Sequence, residues 1–322
     1  MYDGNHSPAN DPATMLANRI RKNMRRLKPW LGRNQIHAFR LYDRDIPEVP
    51  LSIDRYEDHL VIFRWKRNDD DRYDDAWLER ALTGASEATG VPRDNIHVKT
   101  RERQRGASQY TRDDDAGVEV IVREGGLRFI VNLSDYLDTG LFLDLRRGRQ
   151  LVREESRGRD VLNLFAYTGA FSVHAAAGGA TSTTTVDLSN RYTSWARRNL
   201  ELNGFTGPQH RLVRADVNAF LSRAIQANER WDLAIVDPPT FSNSAAMDEH
   251  FDVQAHHVDL LHAVRRVIRP GGAIWFSTNY RRFQLDEPAL APLRAVERTD
   301  DTRAFDFTRD GQHRSWRLEV PA

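Results

Sequence analysis

The chain has 322 residues, of which 29% are charged and 40% hydrophobic, and its formal net charge is +1. That length can bury a full core and favours two domains, and the composition is that of a soluble globular protein rather than a polycation or a disordered tail. There is no cysteine, which excludes disulfides, thiolate metal sites and a cysteine nucleophile. No apolar run approaches the roughly 20 residues needed to span a bilayer, and residues 1–12 lack the apolar core of a signal peptide, so a cytoplasmic location is expected.

Residues 15–31 predict an amphipathic helix, with Met15, Leu16, Ile20, Met24, Leu27 and Leu31 at helical spacing. Between Arg19 and Arg40 stand Arg21, Lys22, Arg25, Arg26, Lys28 and Arg33, with no acid among them. A helix that is merely solvated usually carries both signs, so Arg19, Arg21, Lys22 and Arg25 are candidate RNA-binding residues. Residues 1–50 are accordingly expected to form a basic helical segment. Residues 51–135 predict a small α/β accessory domain. Strand candidates cover 60–65 and 96–98, with a helical pattern over 75–88 between them. Runs at 118–122 and 127–131 flank Gly125-Gly126, a hairpin signal because glycine tolerates the positive φ of a tight turn. Lys99, Arg101, Arg103 and Arg105, opposed only by Glu102, form a second group of candidate RNA-binding residues in a loop expected over 99–110.

From Tyr136 onward strand and helix alternate. Strand candidates cover 160–165, 183–187, 210–213, 232–236 and 273–277, and helix candidates cover 170–177, 192–203, 217–227 and 253–268. Pro270-Gly271-Gly272 is expected to break the chain before the last of these strands, and 314–320 to add an edge or penultimate strand. The fold class is therefore α/β: a Rossmann-like, doubly wound, mostly parallel sheet over 136–322, with a smaller N-terminal α/β domain.

Ligands on such sheets bind beyond the carboxyl ends of the strands. The first strand ends in Phe165, followed by Tyr167, Thr168 and Gly169, where backbone can approach a ligand closely and a helix N-terminus can receive a carboxylate. The second ends in Asp187 and Leu188, an acid placed to accept from a ribose diol. The third leads to Asp216 and Val217, the acid serving an adenine amino group or capping the next helix. The fourth ends in Asp237-Pro238-Pro239-Thr240-Phe241. Proline has no N–H and fixes φ, so this stretch makes a rigid accepting lip with a ring against which a planar base could stack. The first loop is not G-x-G-x-x-G, so a pyrophosphate cradle is missing and S-adenosylmethionine is favoured over a dinucleotide. Asp237, Pro238, Pro239 and Phe241 are the candidate catalytic residues.

Asn163-Leu164-Phe165-Ala166-Tyr167-Thr168-Gly169, Ser182-Thr183-Thr184-Thr185-Val186-Asp187 and Asp237-Pro238-Pro239-Thr240-Phe241-Ser242-Asn243-Ser244 resemble the ribosomal RNA large subunit methyltransferase K/L family, in its C-terminal K half. The likeness extends to Ala17-Asn18-Arg19-Ile20-Arg21-Lys22-Asn23, Arg40-Leu41-Tyr42-Asp43, Lys99-Thr100-Arg101-Glu102-Arg103-Gln104 and the run from Tyr136 to Asp144. It implies a class I methyltransferase using S-adenosylmethionine to methylate N7 of one guanine in 23S rRNA near the peptidyl transferase centre. It also implies that Phe142 and Asp144 close over the donor. The THUMP domain and the N2-methylating L half are not in this sequence, so a separate L-type partner is a possible companion. The tail Asp306-Phe307-Thr308-Arg309-Asp310 matches only in part.

The lip alone would equally suit an exocyclic amine, guanine N2 or adenine N6. Pyrimidine C5 chemistry is disfavoured by the missing cysteine. A non-catalytic ribosome-assembly module on the same fold is a reading of another class. His174 is expected to be packed rather than catalytic, and His256, His257 and His262 lack a carboxylate partner, so no metal site is expected.

Overall fold

The computed structural model describes residues 11–65, 73–101, 117–136, 138–242, 251–309 and 313–322. Its contacts divide the chain into two units, Met1–Gly126 with Val131–Thr139, and Leu127–Ile130 with Gly140–Ala322.

In the first unit, helix α1 spans Pro12–Asn34. Asp11 starts it by accepting from the Thr14 N–H at 3.1 Å, and Pro12 occupies a first-turn position where a missing N–H costs nothing. Leu16, Ile20 and Leu27 on its inner face pack in one core with Trp77, Leu82 and Ala85 of α2 (Asp75–Thr89). The basic helix, expected as a segment of its own, therefore shares its hydrophobic core with the small domain. The sheet beside it runs β1 (Ala38–Asp43), β2 (Leu51–Tyr56), β3 (His59–Trp65) and β4 (Ile96–Arg101) in that order. The first two pairings are antiparallel and the last is parallel, with α2 as the crossover. β1 and β2 were not expected from the sequence. Inward-facing charges interrupt their apolar pattern: Arg40 grips Asp54 across the two strands, Nη2 to Oδ2 at 3.0 Å. β5 (Glu119–Glu124) and β6 (Leu127–Asn132) form the hairpin, with Gly125 and Gly126 at φ of 60° and 80° as the turn requires.

The second unit carries β7 (Asp160–Leu164), β8 (Ser182–Asp187), β9 (His210–Arg214), β10 (Trp231–Val236), a short β11–β12 pair (Phe241–Ser242 and Phe251–Asp252), β13 (Ile268–Thr278), β14 (Arg294–Glu297) and β15 (Arg314–Glu319). Helices α3 (Arg146–Glu155), α4 (Ala170–Ala177), α5 (Asn190–Leu202), α6 (Val217–Gln226), α7 (Val253–Arg265) and α8 (Thr299–Thr302) lie between them. The sheet order is β14-β15-β13-β10-β7-β8-β9. β13 through β9 are parallel neighbours, while β15 pairs antiparallel to both β13 and β14. The central strands are apolar on both faces because helices cover both. Leu162, Leu164, Ala234 and Val236 enter one core, and Val161, Leu233 and Ile235 the other. Pro270-Gly271-Gly272 does not end a helix–strand connection. It lies inside β13, where the register against β10 slips between Trp231 and Leu233. The order in which successive strands are added reverses at β7, which has β8 on one side and β10 on the other, opening the switch-point crevice at the strand ends.

Candidate active site

The loop after β7 is the most constrained backbone in the second unit. Phe165, Tyr167 and Gly169 have φ of 53°, 51° and 73°, so alternate residues take the left-handed conformation. A Cβ on Gly169 would stand 2.7 Å from the Ala196 Cβ. Thr168 is buried, its hydroxyl donating to the Gly140 carbonyl at 2.6 Å and its own carbonyl accepting from Asn199 at 2.9 Å. Thr168 thus fixes the loop instead of presenting its hydroxyl. Behind it, Asn163 and Thr185 both bond the Ser172 hydroxyl, at 3.0 and 2.7 Å. α4 then begins with no side-chain cap, leaving its first N–H groups for an anionic group.

Asp187, at the end of β8, holds that loop from the other side. One carboxylate oxygen accepts from the Tyr167 N–H and the other from the Ser189 N–H, both at 2.8 Å. Burial pushes its carboxyl above the usual range, against the pull of those two hydrogen bonds. Each oxygen keeps a second lone pair, so the acid can brace the loop and still accept from a diol. Leu188 is half-buried next to it, and its carbonyl takes the Arg214 guanidinium at 3.3 Å. Asp216 caps α6 through the Ala219 N–H at 2.9 Å, and Val217 packs into the core. Tyr167 is the hub of an aromatic group, with Phe142 at 5.0 Å, Tyr192 at 4.5 Å and Trp195 at 6.5 Å between centroids. Phe142 is 38% exposed, so this group has an open face.

The lip follows β10. The Ser277 hydroxyl at the end of β13 donates to Asp237 Oδ1 at 2.6 Å. Burial pushes the Asp237 carboxyl up to about 6; the Ser277 bond, His313 and Arg149 pull it down, and Asp144 pushes it further up. His313 is itself buried, its Nε2 3.0 Å from Thr302 Oγ1 and its Nδ1 3.4 Å from Asp144 Oδ2. Asp144, from a separate segment, therefore lies against a buried imidazole near the lip. Pro238 is buried and Pro239 half-buried, whereas Phe241 is 60% exposed, edge-on to Tyr280 at 6.3 Å. The Phe142–Arg149 segment is anchored by Arg146 to Asp306, 2.6 Å apart and fully buried, and by Arg149 to the Phe142 carbonyl at 2.8 Å.

The sequence had not singled out Ser277, His313, Tyr192 or Tyr280. Ser277 and Tyr280 flank the end of β13, where the strand-end rule applies as it does to the four earlier strands. Of the basic residues, Arg19, Arg21, Lys22 and Arg25 are on the outer part of α1, with the last three exposed. Lys99 is not an exposed loop cation; it lies buried in β4 with its ammonium on the Tyr136 carbonyl. Arg101 ends the same strand, and Arg103 and Arg105 lie outside the described residues. His174 is fully buried and stacked on Phe129 at 5.7 Å. Among the described residues no group of His, Asp or Glu could hold a metal ion, and no helix is long and apolar enough to cross a membrane.

A seven-stranded sheet with one antiparallel strand next to its edge, a left-handed glycine loop, an acid ending the second strand and an acid–proline lip ending the fourth define a class I methyltransferase. The chain belongs to the S-adenosylmethionine-dependent methyltransferase family, which it matches over residues 54–306, and S-adenosylmethionine is its cofactor. The residues fit that group: a glycine cradle closed by Ala196, an uncapped helix start, a buried acid and an open aromatic face. The resemblance to the K/L family also holds. The chain is 46% identical over 314 residues to ribosomal RNA large subunit methyltransferase K/L of Shewanella loihica, covering 95% of this chain and 44% of that protein. It is 45% identical over 311 residues to the protein of that name in Shewanella amazonensis, covering 94% and 43%. It thus spans less than half the length of these curated relatives. Among solved structures, SMU.776 complexed with SAH shares the fold with a TM-score of 0.74 at 23% identity, covering 96% of this chain and 82% of that one. The SAM-dependent methyltransferase from Agrobacterium tumefaciens follows with 0.61 at 19%, covering 89% and 90%.

Proposed function

We propose that the chain methylates N7 of a guanine in 23S ribosomal RNA, in the cytoplasm, as the relatives' printed name suggests for the substrate. The observation that carries the chemistry is the Asp237–Pro238–Pro239 lip, whose carboxylate is buried and fixed by Ser277 beside the donor loop.

S-adenosylmethionine, when bound, supplies a methyl group made electrophilic by its sulfonium. Guanine N7 carries an in-plane lone pair and no proton, so the chain needs no general base for the attack. Its work is orientation, holding nucleophile and methyl carbon in line at roughly 3–3.5 Å. Gly169, Asp187 and Asp216 hold the donor, with Phe142 and Asp144 closing over it. The guanine is drawn out of its RNA and set near Phe241, with Asp237 and the Pro238 carbonyl on its polar edge. Arg19, Arg21, Lys22 and Arg25 on α1 hold RNA phosphates, and a separate L-type methyltransferase is a candidate partner. The lip would also accept from guanine N2 or adenine N6, so the position of the product is the deciding observation. Undermethylated 23S rRNA incubated with enzyme and labelled donor is expected to gain methyl, and Asp237→Ala to abolish transfer with the fold intact. Full transfer by Asp237→Ala removes the lip from the mechanism. Donor binding with no transfer to any RNA leaves the non-catalytic assembly module as the reading.

A further inference from the structure

The first unit contains a groove far from the chemistry in sequence. Its volume is about 820 Å³, and one wall is a single face of α1. Arg21, Arg25 and Lys28 stand along that wall at helical spacing, a row about 10 Å long at 1.5 Å per residue. Met24 and Leu31 of the same face meet Ile36 and Phe39 to form an apolar floor. The opposite wall is the β2–β3 hairpin, with Arg55, Glu57 and Asp58, and His37 reaches across.

The charges on the two walls are not equivalent. Glu57 is bonded to His37 Nδ1 at 2.9 Å, and Asp58 lies 3.9 Å from Arg55. Arg21 donates only to the neutral Asn18 side chain, at 3.2 Å. Arg25 and Lys28 have no hydrogen-bond or charged partner among the described residues. The hairpin's acids thus each have a neighbouring donor, while the helix presents a row of cations without an acidic partner above an apolar floor. A nucleotide has the matching chemistry: an anionic backbone joined to a flat, largely apolar ring. The His37 side chain, 41% exposed, offers a planar face for stacking.

We propose that this groove binds an unpaired nucleotide of the RNA substrate, its phosphates on Arg21, Arg25 and Lys28 and its base on the floor formed by Met24 and Leu31. The proposal rests on the reading that the substrate is RNA. It adds that single-stranded RNA is gripped at a site on α1 separate from the nucleotide being methylated. An acidic amphipathic peptide would meet the same cations, but the relatives' printed name points to ribosomal RNA, and the peptide is kept as an outcome of the test.

Gly32 lines the groove, and an added Cβ there meets nothing within 4 Å, so Gly32→Trp fills the space without entering the core. Affinity is measured by fluorescence anisotropy for a single-stranded rRNA fragment and for a duplex of equal length, over a salt series, with the full chain. Gly32→Trp is expected to weaken single-strand binding at least tenfold, leaving the salt slope and duplex binding unchanged. Arg25→Ala with Lys28→Ala is expected to lower the single-strand salt slope by about 1.4, two phosphate contacts at about 0.7 each. Wild-type single-strand affinity in Gly32→Trp overturns the base site, and an unchanged slope in the double variant overturns the phosphate row. Binding of a labelled acidic peptide that unlabelled single-stranded RNA does not displace assigns the groove to a protein and also overturns the proposal. RNA binding that follows these expectations while the wild type methylates no RNA sinks the proposed reaction and leaves the groove standing.

Discussion

Asp237→Asn separates what the acid costs the fold from what it gives the reaction. Burial raises this carboxyl from its ordinary 3.8 to about 6, a difference worth about 3 kcal/mol at 1.36 kcal/mol for each factor of ten in the ionisation constant. The raised value means that the folded state prefers the neutral acid. The contribution of Asp237 to stability is therefore complete below about pH 4 and is lost as pH rises through about 6. Above about pH 7 the folded enzyme carries a charge that costs it up to about 3 kcal/mol relative to the unfolded chain. Asparagine keeps the shape and can still accept from Ser277, but never ionises. Urea unfolding of both proteins at pH 4 to 8 should give equal stabilities at the acid end. The gap should then open in favour of asparagine, reaching about 3 kcal/mol at pH 8. Transfer by the same preparation should fall by about 10- to 100-fold, because a hydrogen bond to a charged group is worth about 1.5–3 kcal/mol. A stability gap independent of pH, or an asparagine variant less stable at pH 8, refutes the reasoning.

Ser277→Ala removes a bond that pulls Asp237 down, so the pH at which Asp237 ionises should move higher, and with it the acidic limb of the transfer profile. An unmoved limb would show that Ser277 does not act through Asp237. Gly169→Ala meets Ala196 at 2.7 Å from a left-handed backbone; calorimetry should show weaker donor binding, with stability reduced by about 1–3 kcal/mol. Asp306→Ala leaves Arg146 buried without its carboxylate and should cost about 3–5 kcal/mol by chemical denaturation, while Arg146→Met with Asp306→Leu recovers most of it.

The site was legible at the strand ends because the physics there is local. A short apolar run followed by glycine or an acid states both the strand and the position of its end, so Gly169, Asp187, Asp216 and Asp237 could be placed without the fold. What the sequence hid depends on tertiary pairing. β1 and β2 bury Arg40 against Asp54, which looks polar until the two strands are side by side. Pro270 to Gly272 resembles a break because the pairing that carries β13 through it, Trp231 with Ile268 and then Leu233 with Ala273, is made with another strand, β10. Lys99 looks like one of a basic cluster, and only the fold shows it buried with its ammonium donating to the Tyr136 carbonyl. His313 had no local signal, since its partners Asp144 and Thr302 come from elsewhere in the chain.

The most direct test of the central claim is nucleoside mass spectrometry of 23S rRNA methylated by the wild-type chain with labelled donor. The account predicts label in 7-methylguanosine at one site, lost with Asp237→Ala. Label in N2-methylguanosine or N6-methyladenosine would contradict it.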